Sequence, residues 1–254
     1  MDLLDAVILG VVEGVTEFLP ISSTGHMILA SYLLGIKQSA FTKTFEIAIQ
    51  LGAILAVVFI YREKLSKSLE LWKKLIAAFI PTGILGLLLH HYVEELFSPL
   101  VVSVMLIVWG VIFIVVELLY KEREHQIDRP EEISYAKAIG IGLFQSLAMI
   151  PGTSRSGATI IGGLLLGMNR VAATEFSFLL AIPTMLAATG FELVKNASSL
   201  SGGHFVLLGV GFVVAMVSAF AAVKWLLNFI KSHTFIPFGI YRIIVGLIFL
   251  LILL

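Results

Sequence analysis

The sequence predicts an all-α polytopic membrane protein: about six transmembrane helices plus two re-entrant helical hairpins, related as an inverted-topology repeat. Three observations lead there. The apolar content exceeds what a soluble core can absorb. Six apolar stretches approach the length of a bilayer. Two more are broken midway by polar Gly/Pro turns. Of 254 residues, 59% are hydrophobic and 13% charged, with mean hydropathy +1.03, against about 45–50% and about 25% in soluble domains. Lipid must solvate that surplus. Zero net charge gives no reason to expect a nucleic-acid partner. The lack of cysteine removes disulfides, thiolate nucleophiles and Cys-based metal sites. One membrane domain over residues 1–254 is expected, without an appended soluble domain, and Met1–Asp5 lacks the basic region of a secretory signal.

Crossing a bilayer takes about 20 apolar residues. The stretches 45–61, 75–90, 99–120, 172–195, 204–226 and 236–254 reach that length or come close. Region 6–36 is interrupted at Pro20-Ile21-Ser22-Ser23-Thr24-Gly25. Region 138–168 is interrupted at Pro151-Gly152-Thr153-Ser154-Arg155-Ser156-Gly157. Each gives two half-length helices, neither able to span alone. Broken backbone is tolerated at membrane depth only where protein or a wet cavity surrounds it, so both regions are expected to be re-entrant hairpins.

Charge in the loops sets the orientation. Loop 62–74 carries Arg62, Lys64, Lys67, Lys73 and Lys74; loop 121–137 carries Lys121, Arg123, Arg129 and Lys137; loop 224–235 carries Lys224 and Lys231. Loop 91–98 has no Lys or Arg, and 195–204 has only Lys195. The positive-inside rule places the first three in the cytoplasm. Both termini then lie outside, the first hairpin enters from outside and the second from inside. The two hairpins are also related in sequence. A shift of 132 residues lays Gly10 on Gly142, Glu13 on Gln145, Ser22 on Ser154, Gly25 on Gly157 and Leu34-Gly35 on Leu166-Gly167. The following helices match loosely, Phe45 with Phe176 and Leu55-Ala56 with Leu186-Ala187. This divides the chain into a repeat at about 1–120, a cytoplasmic linker at about 121–133 and a second repeat at about 134–254. In such folds the broken helices meet near the midplane and build the site there.

The first hairpin reads Glu13-Gly-Val-Thr-Glu17-Phe-Leu-Pro-Ile-Ser22-Ser23-Thr24-Gly25-His26. Glu13 and Glu17 share one helix face at i,i+4 spacing. Two carboxylates together in apolar surroundings repel, unless one is protonated or a cation lies between them. A hard divalent ion, Mg²⁺ or Ca²⁺, suits such oxygens and leaves positions for phosphate and water. A plainer reading is a pair solvated at the membrane interface. Ser22, Ser23, Thr24 and Gly25 offer donors in a tight turn, and a half-helix starting near Ser23 would add free N–H groups that favour an oxyanion. His26, three residues after Ser23, lies close enough to hydrogen-bond its hydroxyl, which suggests nucleophile and base. The plainer alternative is a serine N-cap with a satisfied core histidine.

The second hairpin reads Pro151-Gly152-Thr153-Ser154-Arg155-Ser156-Gly157-Ala-Thr159. Arg155 is the only basic residue between Lys137 and Arg170. A lone guanidinium at that depth costs at least about 2.5 kcal/mol, which a bidentate phosphate contact offsets. In an empty site Arg155 can pair with Glu17 or Glu13 instead. No P-loop, dinucleotide fingerprint or zinc-ligand spacing is present. Arg242 is expected to snorkel from the inner end of the last span. Glu46 and Glu192 are expected near the outer ends of spans. Gln50 is expected to bond a helix end, with a place on the cavity wall as the alternative, and His90, His91, Glu94 and Glu95 to form a solvated external loop.

The motifs Glu-Gly-x-Thr-Glu-Phe-Leu-Pro-x-Ser-Ser-Thr-Gly-His and Pro-Gly-x-Ser-Arg-Ser-Gly-x-Thr resemble the two signature segments of the bacterial undecaprenyl-pyrophosphate phosphatases, the bacitracin-resistance family. The resemblance covers essentially the whole chain, with no departure inside either motif. It implies hydrolysis of a C55 polyprenyl pyrophosphate to the monophosphate, which recycles the carrier for peptidoglycan. It implies a multi-pass protein of the plasma (inner) membrane with a site open to the outer side. By match of motif, the acidic residues fall on Glu13 and Glu17, the Ser/His segment on Ser22, Ser23, Thr24 and His26, and the arginine on Arg155.

Phosphoryl transfer needs positioning and charge neutralisation above all. In the mechanism expected from these residues, Glu13 and Glu17 hold the divalent cation. Arg155, with Ser154, Ser156 and neighbouring N–H groups from Gly152 to Thr159, clamps the terminal phosphoryl. Ser23 attacks while His26 accepts its proton. A phosphohistidine at His26, or direct attack by metal-bound water, ranks after Ser23. The rival function is transport, as a lipid-phosphate flippase or anion carrier on the same inverted-repeat site. The apolar surface is available to membrane lipid or to a second copy of the chain, as in a homodimer.

Overall fold

The structure, a computed structural model, describes residues 1–37, 39–121, 126–195 and 205–253, without the side chains at 40, 90, 94, 192–195 and 253. Eleven α-helices follow one another among the described residues: α1 (Leu3–Thr16), α2 (Ser23–Leu33), α3 (Ala40–Ile60), α4 (Arg62–Lys67), α5 (Leu69–Glu95), α6 (Pro99–Leu119), α7 (Tyr135–Ser146), α8 (Arg155–Leu165), α9 (Arg170–Lys195), α10 (Phe205–Phe229) and α11 (Ile236–Leu253). Five are long and apolar enough to cross a membrane, within α3, α5, α6, α9 and α10. The sixth expected span, α11, is a shorter apolar helix. The protein is therefore a multi-pass, all-α membrane protein. Serines set several starts: Ser39, Ser98 and Ser134 each accept a first-turn N–H, and Pro99 occupies the first turn of α6, where no N–H is needed. Helix α5 runs on through Glu95, so the expected loop 91–98 begins later. His91 and Glu95 face each other at i,i+4, 3.6 Å apart, because nothing between Gly86 and Ser98 breaks a helix. The side chains of His90, Glu94, Glu192 and Lys195, and Arg123 with residues 196–204, lie outside the described residues.

Both broken regions are helical hairpins, α1–α2 and α7–α8, and their details recur at the same 132-residue offset. Ser22 and Ser154 are the two described non-glycine residues with positive φ, at 71° and 77°. Each precedes the first residue of its second half-helix. Both half-helices end alike. Gly35 and Gly167 adopt left-handed backbone (φ 64° and 91°). Their N–H groups, with those of Ile36 and Met168, close on carbonyls of the last turn. This Schellman stop requires a residue free of the Cβ penalty. Packing is exchanged between halves. Helix α1 lies on α10 of the second half, and α7 lies on α5 of the first. The approach is glycine-close: a Cβ on Gly10 would fall 2.8 Å from the Gly211 carbonyl, and one on Gly142 only 1.9 Å from that of Ala78. Helices α3 and α9, the most buried spans, cross at the centre, and α6 packs along α11.

Candidate functional site

The hairpin turns meet. The Ser156 hydroxyl donates to the Leu19 carbonyl at 3.0 Å, and Arg155 reaches Glu17. Between them lies a cavity of about 280 Å³, walled by Glu17, Ser22, Ser23 and Thr24 on one side and by Gly152, Ser154 and Arg155 on the other. Gln50, Thr82, Gln145 and Thr184 complete the polar wall, and Phe97 stands at the α5–α6 connection. The volume is at the low end for ligand pockets, suited to a small polar head rather than a long lipid.

The chemistry concentrates on one relay. The Ser23 hydroxyl donates to Glu17 Oε2 at 2.6 Å. Glu17 Oε1 faces Arg155 Nη2 at 3.4 Å, and Arg155 Nη1 donates to the Ser177 carbonyl at 3.0 Å. Arg155 Nε, though buried, has no partner. The guanidinium therefore keeps a donor in reserve for a ligand oxygen. Ser22 makes no side-chain cap bond at the start of α2. The first-turn N–H groups of α2, beside the Ser23 hydroxyl, thus stay available to an anion. Left-handed serine backbone costs about 1–3 kcal/mol per residue, and it is what turns the chain sharply enough to aim α2 into the cavity.

Glu13 and Glu17 lie on one face, the Glu17 N–H bonded to the Glu13 carbonyl at 2.9 Å. Both are buried, and Glu13 Oε1 has no hydrogen-bond partner. No group of three or more His, Cys, Asp or Glu arranged to hold a metal occurs among the described residues. The donor set is thus two carboxylates with one free buried oxygen. That fits a hard divalent ion whose remaining positions are filled by phosphate and water, and it does not fit an all-protein cage.

Several expected placements change. His26 does not touch Ser23. Its Nδ1 lies 2.8 Å from the Ser22 carbonyl and its Nε2 2.7 Å from the Tyr241 hydroxyl. Side chains lean toward a helix N-terminus, so the imidazole folds back onto the carbonyl four residues earlier and leaves the serine to Glu17. Ser156 and Thr159 face away from the cavity. Ser156 is fully buried on the Leu19 carbonyl. The Thr159 hydroxyl donates to the Ser177 hydroxyl at 2.7 Å and shares the carbonyls of its own helix. The Ser154 hydroxyl caps Gly157 N–H at 3.1 Å, although the residue lines the cavity. Thr153 is fully buried. Gly25 and Gly157 pack tightly against α6, near Val102 and Phe113. Gln50 lines the cavity. Gln145 donates to Thr82 and accepts from Thr184.

Arg242 departs furthest from expectation. It does not snorkel. It is fully buried and bonds the Pro20, Gly152 and Thr153 carbonyls at 3.0, 2.7 and 2.9 Å. The signal was present: Arg242 is the sole basic residue of its apolar run, and an intramembrane charge is a functional hypothesis before it is an anchor.

Comparison with known proteins places this site in a family. Residues 6–248 match the family model described as bacitracin resistance protein BacA. A protein of Persephonella marina is 61% identical over 251 residues, 99% of each chain. One of Wolinella succinogenes is 59% identical, covering 98% of each. One of Methanococcus aeolicus is 51% identical, over 99% of this chain and 98% of its own. Each of the three bears the name undecaprenyl-diphosphatase. With a family-model match over nearly its full length, the chain belongs to the bacitracin resistance protein BacA family.

Proposed function

We propose that this chain hydrolyses undecaprenyl pyrophosphate to undecaprenyl phosphate and inorganic phosphate, using one site shared by its two hairpin turns. The observation that carries the proposal is the relay Ser23–Glu17–Arg155, which spans both hairpins and opens into the cavity. Ser23 Oγ attacks the terminal phosphorus. Its proton passes to Glu17 Oε2, already 2.6 Å away. The bond to the bridging oxygen breaks, and the lipid monophosphate leaves with that electron pair. Arg155 exchanges its long contact to Glu17 for the phosphoryl oxygens, neutralising charge where it develops. Water then attacks the phosphoserine: the P–Oγ bond breaks, Ser23 Oγ takes back its proton from Glu17, and inorganic phosphate leaves with the oxygen and protons of the water. Glu13 and Glu17 are suited to hold a divalent cation, which when bound would supply charge neutralisation at the diphosphate. His26, with both ring nitrogens engaged outside the cavity, is not the base. A pure carrier has no use for a serine hydrogen-bonded to a buried carboxylate.

The head group fills the cavity, and the polyprenyl chain lies among lipids at the helix surfaces. The proposed repeats are residues 1–120 and 134–254, joined by a cytoplasmic linker, with both termini outside. The cavity lies beside Phe97 on the loop side without Lys or Arg, which favours access from the outer face of a bacterial inner membrane. The test is phosphate release from farnesyl or undecaprenyl pyrophosphate in detergent, with Mg²⁺, Ca²⁺ or EDTA. Wild type should release phosphate in an EDTA-sensitive way, and Glu17→Ala, Ser23→Ala and Arg155→Ala should not. Folded wild type that releases none overturns the proposal and directs attention to lipid-flipping assays.

A further inference from the structure

The site described above is built from two turns that belong to different halves of the chain. Something must fix one against the other. The direct contacts between them are few: the Ser156 bond to Leu19 and the 3.4 Å contact from Arg155 to Glu17. Arg155 and Glu17 are working groups whose contact must loosen when substrate arrives, so they cannot also be the brace.

Arg242 has the geometry of a brace. Its Nη1 takes the carbonyl of Pro20 in the first turn, and its Nη2 takes those of Gly152 and Thr153 in the second. Pro20 and Gly152 are equivalent positions at the 132-residue offset. A planar fork with two nitrogens at fixed separation sets a distance between two backbone segments, which a single ammonium cannot do. The base of the fork is rigid. Helix α11 meets α6 where Gly110 and Gly239 approach each other's carbonyls, so that a Cβ on either would fall within 2.8 Å. Phe113 flanks the guanidinium, 6.0 Å from its carbon. The preceding residue adds a second grip. The Tyr241 hydroxyl bonds His26 Nε2, the rings stack, and His26 Nδ1 bonds the carbonyl of the left-handed Ser22.

We infer that Arg242, assisted by Tyr241 through His26, is the positioning device of this enzyme: it holds the hairpin carrying Ser23 and Glu17 in register with the one carrying Arg155. This rests on the phosphatase reading. Arg242 hydrogen-bonds only backbone carbonyls, so its loss should not weaken substrate binding. It should misplace the nucleophile against the clamp, where an error near 1 Å costs about a hundredfold in rate. The alternative is that Arg242 merely satisfies carbonyls at membrane depth, in which case stability alone would suffer.

The chain has no cysteine, so label pairs can be introduced cleanly. Leu33→Cys and Leu165→Cys sit on exposed positions at the ends of α2 and α8. Spin labels there report the separation of the hairpins by pulsed electron resonance. R242K and R242Q should lower kcat for farnesyl pyrophosphate about a hundredfold while KM stays within about threefold. The label distance should broaden or shift. Y241F should give a smaller loss in the same direction. If R242Q does not fold, R242K carries the test. Wild-type kcat in a folded R242K overturns the inference, as does a loss of melting temperature with the label distance and kcat per folded molecule unchanged. Failure of the wild type to release phosphate would sink the phosphatase reading instead, with the label distances still deciding whether Arg242 spaces the hairpins.

Discussion

The two hairpins share a backbone and divide the chemistry. Each runs half-helix, left-handed serine, half-helix, Schellman glycine, in matching register. The side chains at equivalent positions differ in kind. Ser23 of the first hairpin corresponds to Arg155 of the second, both opening their half-helix. Glu13 corresponds to Gln145, and Glu17 to Met149. Ser22 leaves its helix start uncapped, whereas Ser154 caps its own. In the proposed mechanism the acidic, uncapped hairpin supplies the nucleophile and its base, and the capped one, which has no Asp or Glu, supplies the cation that meets the phosphoryl group. A symmetric pair of turns would present two nucleophiles and no clamp, or two clamps and no nucleophile. Different side chains on two similar backbone turns place opposite charges across one cavity.

Substitutions that erase the division should have the largest effects. Ser23→Ala removes the nucleophile, and kcat should fall about 10⁴-fold with the melting temperature unchanged. Loss below tenfold would transfer the attack to water. Arg155→Lys keeps charge but loses the planar fork, and kcat/KM should drop about a hundredfold. Glu13→Gln makes the first hairpin resemble the second at that position. The response to added Mg²⁺ or Ca²⁺ should weaken by about 10–100-fold in half-saturating concentration, while a metal response equal to wild type would remove Glu13 from the ion's shell. Smallest should be the contrast between the serine turns. Ser154→Ala forfeits a cap and should cost about 1 kcal/mol in thermal or denaturant unfolding. Ser22→Ala, which loses no cap bond, should cost less, and equal costs would deny that only one helix start is capped.

Much of the fold was legible because its signals are local. Polar turns inside apolar runs mark the hairpins, and glycine marks their ends. The outer residues of the site were legible for the same reason: Glu13, Glu17, Ser23 and Arg155 are polar where lipid would exclude them. The partners they choose were not. Whether Ser23 turns to His26 or Glu17 depends on how the chain bends after Thr16, not on spacing. Ser156 and Thr159 look like ligands in sequence and are structural, because the opposing hairpin offers Leu19 and α9 offers Ser177. Arg242 belongs to a helix 90 residues beyond the nearer turn it holds, and only the tertiary fold shows that carbonyls await it.

The exchange of helices between halves also bears on how the protein is made. Helix α1 finds its glycine-close partner on α10, which begins about 190 residues after α1 ends. At synthesis rates of about 5–20 residues per second, the first hairpin waits roughly 10–40 seconds before the surface that covers it exists. During that interval two carboxylates and an uncapped helix start stand at the membrane without their neighbours. Helix α7 of the second hairpin has no such wait, since its partner α5 precedes it. Early loss to proteolysis in the cell should therefore fall on chains truncated before α10, and supplying the missing half as a separate polypeptide should rescue them.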